Sequence, residues 1–258
     1  MPALPDISAL FETAITHHRA ARLPEAEQAY RKVISANPLH APALHHLGVI
    51  AHQVGEEQQA AALMERALAI HPDYAEALSN YSLVLLALSR REQAIKTLKR
   101  AIKLKPDYAE AHYNLGLAYD LGGAFSDAIP CYDEAIRINP NYADAHCNLG
   151  NALHSLGLFD FAAPSYRHAL ALAPQLTRLH TYLGYALYAD GKNAEAEQSF
   201  QAGIQASPND PVNHFGIAEV LLANWDLDGA NKALEQALRC IVARGALAAP
   251  PRIEATYK

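Results

Sequence analysis

The chain has 258 residues, 51% hydrophobic and 19% charged, and a formal net charge of −6 at pH 7. That balance excludes a disordered polypeptide, and its acidic sign argues against a general nucleic-acid binder. The three cysteines, Cys131, Cys147 and Cys240, lie far apart with no CxxC pair, which points away from a disulfide framework and towards a reducing, cytoplasmic setting.

The amino terminus, MPALPDISALFETAI, has no basic residue before Arg19 and no long apolar core, so no signal peptide is expected. No window reaches 18 uninterrupted apolar residues, and no membrane insertion is expected. After a lead over 1–6 the chain becomes periodic. Prolines fall at Pro38, Pro72, Pro106, Pro140, Pro174 and Pro208, each 34 residues after the last. Alanines keep step at Ala26, Ala60, Ala94, Ala128, Ala162, Ala196 and Ala230, and again at Ala67, Ala101, Ala135, Ala169 and Ala237. Glycines recur at Gly48, Gly116, Gly150 and Gly184, and at Gly55, Gly123, Gly157 and Gly191. The stretch AHYNLG at 111–116 returns as AHCNLG at 145–150. Such a repeat has to be read before any single residue is.

Within one unit the apolar spacing is helical. Ala111, Leu115, Ala118 and Tyr119 form one amphipathic stripe. Gly122-Gly123 interrupts it, since glycine disfavours helix and tolerates turn dihedrals. Ala128, Tyr132, Ala135 and Ile136 form a second stripe, which Asn139-Pro140 ends because proline pushes its predecessor out of the α region. Seven such helix hairpins are predicted over 7–244: 7–40, 41–74, 75–108, 109–142, 143–176, 177–210 and 211–244. The outer two depart from the pattern. The first has Ala14 and Ala21 at the glycine registers; the seventh has Trp225 for glycine and Val242 for proline. Ends of an array lack one neighbour, so deviation is expected there. The last helix keeps an apolar stripe, Leu234, Leu238, Ile241 and Val242, and residues 245–258 read as a tail or linker.

Unit length, hairpin, and the small-residue and proline registers resemble the tetratricopeptide repeat (TPR). The resemblance implies an all-α fold, a right-handed superhelical solenoid of about seven hairpins, with the first helix of each hairpin on a concave inner face. It also implies a protein-interaction adaptor or scaffold that binds an extended peptide or partner protein in that groove. The turns around Asn114 and Asn148 are similar to the repeat arm of O-linked N-acetylglucosamine transferases, where an asparagine ladder holds substrate polypeptide. On that placement the peptide-binding face gathers Asn80, Asn114 and Asn148 at one position and Glu76, Glu110 and Asp144 at another. Tyr113, Asp120, Asn151, His154, Arg178, Tyr182, Tyr185 and Tyr188 lie nearby.

An amide offers both donor and acceptor, so the asparagines can bind a peptide backbone whatever its sequence; equally, asparagine suits a solvated helix position and bonds a neighbour. The carboxylates favour a neutral to basic partner, or simply suit the helix dipole. The tyrosines are interface anchors or core. A chaperone-type carboxylate clamp is not expected, because Tyr113, Leu117 and Tyr182 stand where its other residues belong. The basic run Arg90 to Lys105, seven of the chain's 21 lysines and arginines, reads as a solvated outer face or a dock for an acidic partner. His112, His146, His180 and His214 follow the repeat period, and no histidine has ligand spacing for a metal. With no HExxH, no phosphate loop and no nucleophile elbow, neither catalysis nor a cofactor is expected. Two alternatives to the adaptor stay open: the substrate-recognition arm of a peptide O-glycosyltransferase-like or other modifying enzyme, and a scaffold that self-associates through its terminal repeats.

Overall fold

A computed structural model of the chain describes residues 6–248, with side chains through 243. The described residues form fourteen α-helices and no strand. They pair as α1 (Ile7–Arg19) with α2 (Leu23–Ala36), α3 (Ala41–Gln53) with α4 (Glu57–Ile70), α5 (Ala75–Ala87) with α6 (Arg91–Leu104), and α7 (Ala109–Asp120) with α8 (Phe125–Ile138). The series continues with α9 (Ala143–Ser155) and α10 (Phe159–Leu172), α11 (Leu179–Ala189) and α12 (Asn193–Ala206), and α13 (Pro211–Ala223) and α14 (Leu227–Ala248). The last helix passes the 244 boundary of the repeat register, and residues 249–258 of the expected tail lie outside the described residues.

The prolines set the helix ends. Asn37, His71, Lys105, Asn139, Ala173 and Ser207 each precede a proline, and each caps a second helix with φ between −127° and −143°. This is the extended backbone that a following pyrrolidine ring imposes. Inside the hairpins the turn needs one left-handed residue. Gly55, Gly123, Gly157 and Gly191 supply it at φ of 71–82°, whereas Ala21, Ser89 and Trp225 hold φ of 55–60° with a Cβ in place.

The chain divides into two compact units at Asn139/Pro140: the amino-terminal unit holds hairpins one to four, the carboxy-terminal unit hairpins five to seven. In both, each helix packs on the next, and first helices also meet one another: α3 with α5, α5 with α7, and α11 with α13. Small residues let the backbones approach. The alanines at 26, 60, 94, 128, 162 and 196 are fully buried. A Cβ on Gly116 would meet the Tyr132 ring at 2.6 Å, one on Gly150 the Tyr166 ring at 2.7 Å, and one on Gly184 the Phe200 ring at 2.5 Å. The glycine of a first helix is thus the socket for an aromatic ring of the second. Burying such a ring contributes about 1.5–3 kcal/mol, and only close packing realises it.

Candidate functional site

In the amino-terminal unit the first helices line a hollow of about 370 Å³ bounded by Ile15, His18 and Arg19 of α1, His46 and Val49 of α3, and Asn80 of α5. Its wall is an aromatic and histidine cluster. His46 stacks on Tyr30 at 5.6 Å, and His18 meets His46 edge-on at 6.0 Å. Asn80 Nδ2 lies 2.8 Å from His45 Nε2, and His45 Nδ1 lies 3.1 Å from the Tyr74 hydroxyl. With the asparagine amide donating, His45 Nε2 accepts and its Nδ1–H donates to Tyr74. Burial, aided by the neighbouring His46, lowers the His45 pKa to about 3. Burial, with His18 and Arg19 close by, lowers that of His46 to about 4. Both rings are therefore neutral at pH 7, and the cation at the rim of the hollow is Arg19.

The asparagines divide. Asn80 reaches back to the preceding hairpin but still lines the hollow. Asn114 does not: it is only 6% exposed, and its amide donates to Ser79 Oγ at 3.1 Å. His45 and Ser79 are one 34-residue register apart, as are Asn80 and Asn114, so one bond is made twice. It stitches each hairpin to the last. Asn148 is half-buried in the carboxy-terminal unit and has interactions of its own. The expectation that Asn114 faces a ligand gives way to burial at a helix crossing.

The acidic series divides too. Glu76 pairs with Lys105 at 2.9 Å, and that hydrogen bond lowers its pKa. Glu110 and Asp144 are exposed in the first turns of α7 and α9, where the dipole favours carboxylates. Asp120 accepts from the Tyr132 hydroxyl at 3.4 Å, and burial raises its pKa. Tyr113 packs against Tyr132, with ring centres 5.9 Å apart.

In the carboxy-terminal unit a second hollow, about 300 Å³, is lined by Cys147, the α10–α11 loop from Gln175 through Arg178, Leu179 and Tyr182. Arg178 is exposed, and Tyr182 is 39% exposed, its ring 6.0 Å from that of Tyr166. Asn151 is used by the fold, accepting from the Tyr166 hydroxyl at 2.9 Å. His154 meets Phe159 edge-on, and Tyr185 meets Phe200 in the same way. Burial raises the Cys147 pKa, so it lacks the thiolate character of a nucleophile. Among the described residues no three of His, Cys, Asp and Glu are placed to hold a metal ion, and no helix is long and apolar enough to cross a membrane.

Sequence reasoning missed Ile15, His18, Arg19, His46 and Val49. One signal was available: His46 occupies the register of Asn80 in the preceding hairpin.

Family profiles described as TPR repeat match residues 83–122 and 120–157, and profiles described as tetratricopeptide repeat match 11–75 and 143–176. No curated protein compared with the chain matches it. Among solved structures, a crystal structure of MamA is 30% identical over 62% of this chain and 93% of its own, with a TM-score of 0.54. YrrB, a TPR protein with an unusual peptide-binding site, is 20% identical over 72% of this chain and 98% of its own, with a TM-score of 0.65. PilF of Pseudomonas aeruginosa, also 20% identical, aligns over 83% of this chain and 97% of its own at a TM-score of 0.73. The last two share the fold. With the 34-residue hairpins, the glycine sockets and the profile matches from residue 11 to residue 176, the chain belongs to the tetratricopeptide repeat family.

Proposed function

We propose that the chain is a protein-interaction module that holds an extended segment of a partner protein against its first helices. The observation that carries this reading is the hollow of the amino-terminal unit, built jointly by the first helices of three successive hairpins. Its chemistry selects the ligand. Arg19, His18, the ring of His46 and the second amide hydrogen of Asn80 offer donors, while Ile15 and Val49 offer apolar floor. Glu76, the nearby carboxylate, is already neutralised by Lys105. This set suits a segment rich in acceptors, backbone carbonyls and carboxylates, and replaces the neutral-to-basic preference that the carboxylates alone suggested. Arg178 and Tyr182 serve the carboxy-terminal unit in the same way, as a cation beside an exposed ring. YrrB shows that a TPR protein can carry a peptide-binding site.

The test is to select peptides from a random display library on the parent chain and on Arg19→Glu, an exposed position whose change leaves the fold intact. A recurring motif on the parent that Arg19→Glu no longer enriches supports the reading. If both chains enrich the same motif, or neither enriches any, the hollow is not the receptor.

A further inference from the structure

Trp225 stands where the other hairpins turn, and it stands there at a cost. Its φ is 60°, the left-handed region that glycine occupies at the equivalent positions 55, 123, 157 and 191, and a residue with a Cβ is disfavoured there. The largest side chain in the repertoire gains nothing from packing in return, since it is 88% exposed. It is not alone. Leu222 precedes it and Leu227 follows it, both exposed, so the α13–α14 turn raises an apolar knob into water. The turn itself is firmly held. Asp226 Oδ1 accepts from the Gly229 amide at 2.9 Å, and Asn193 of the preceding turn donates to Asn224 at 3.0 Å. The charge around the knob is one-sided. Asp226 and Asp228 flank it, both exposed. The cation of the preceding turn, Lys192, is already taken by Asp190 at 2.7 Å, and Lys232 lies a turn further along α14.

We propose that this knob is a second docking surface, independent of the groove, and that it receives a basic, leucine-bearing segment of a partner protein. A guanidinium or ammonium group over the indole face gains a cation–π contact, its aliphatic stem covers Leu222 and Leu227, and the two aspartates supply the complementary field. Tryptophan is also among the residue types enriched at interface hot spots.

Trp225 is the single tryptophan of the chain, so its emission reports this site alone. The probe is a blocked octapeptide of alternating arginine and leucine, with the glutamate–leucine octapeptide and phosphatidylcholine vesicles as the other arms. A saturable blue shift with the arginine peptide alone, weakened by salt, is the expected result. Labelled arginine peptide should bind Trp225→Gly at least about tenfold more weakly by anisotropy. That variant should melt no lower than the parent, because glycine relieves the left-handed backbone. An unmoved emission, an equal response to the acidic peptide, or a shift with vesicles only overturns the proposal. So does undiminished binding by Trp225→Gly, and a lowered melting temperature would show that the ring supports the fold instead.

Discussion

The two units fold the same hairpin but join their first helices by different chemistry. In the amino-terminal unit the joints are polar and include a titratable ring: Asn80 to His45, His45 to Tyr74, Asn114 to Ser79. In the carboxy-terminal unit the comparable buried bond is neutral, Thr181 Oγ1 to Asn213 Oδ1 at 2.8 Å. The weight there falls on Phe200, fully buried, whose ring lies against both Gly184 and Gly216. A shared backbone therefore leaves open whether a joint responds to protons. That depends on a few side chains at equivalent positions.

The comparison breaks most sharply at Phe200. Phe200→Ala empties a socket shared by α11 and α13, and should destabilise the carboxy-terminal unit by about 3–5 kcal/mol. Hydrogen exchange should accelerate in α11–α13 and leave α1–α4 unchanged; uniform acceleration would mean that the units do not behave separately.

Acid should act on the other unit. An unfolded histidine titrates near 6.5, whereas folded His45 and His46 lie at about 3 and about 4. The folded state thus binds fewer protons, so stability is full above pH ~6.5 and falls as pH drops towards the folded values. The loss at pH 4 is of the order of 3 kcal/mol for each of the two rings. Burial alone lowers the pKa values of His154 and His180 in the carboxy-terminal unit, whereas at His46 the neighbouring His18 and Arg19 add to it. Amide exchange, corrected for its intrinsic pH dependence, should quicken more in α3 and α5 than in α11 and α13. His45→Gln should shrink that difference, and an equal response in both units would remove it.

The smallest effects lie in the turns. Gly123→Ala introduces a Cβ with nothing within 4 Å of it at φ +71°, so its cost is backbone alone, about 1 kcal/mol. Ser89→Gly, at φ 60°, should move the other way by a few tenths of a kcal/mol. A melting curve of each variant decides, and changes of equal sign would refute the assignment of these positions.

The helices were legible because their signals are local: proline six times at one spacing, alanine where helices cross, glycine where the turn needs a left-handed residue. The site was not. Position 114 reads the same whether its amide faces a ligand or the preceding hairpin, and what decides is a serine 35 residues away. The hollow takes three residues from α1, two from α3 and one from α5, at registers that differ between hairpins, so no column of the repeat reveals it. Trp225 was visible as a departure from the glycine register, and sequence could assign that to the end of the array. Its exposure, which gives the departure chemical meaning, depends on what surrounds it.

The bonds from His45 to Asn80 and from Ser79 to Asn114 have a consequence for how such a chain can change length. Each joins one position of a hairpin to the adjacent position of the next, so the third hairpin, with Ser79 and Asn80, carries both the acceptor half and the donor half. Copying residues 75–108 in register would set the copied Asn80 against the original Ser79, a partner of the right type. That hairpin can be gained or lost without orphaning the Asn114 amide, which then faces Ser79 or His45, an acceptor in either case.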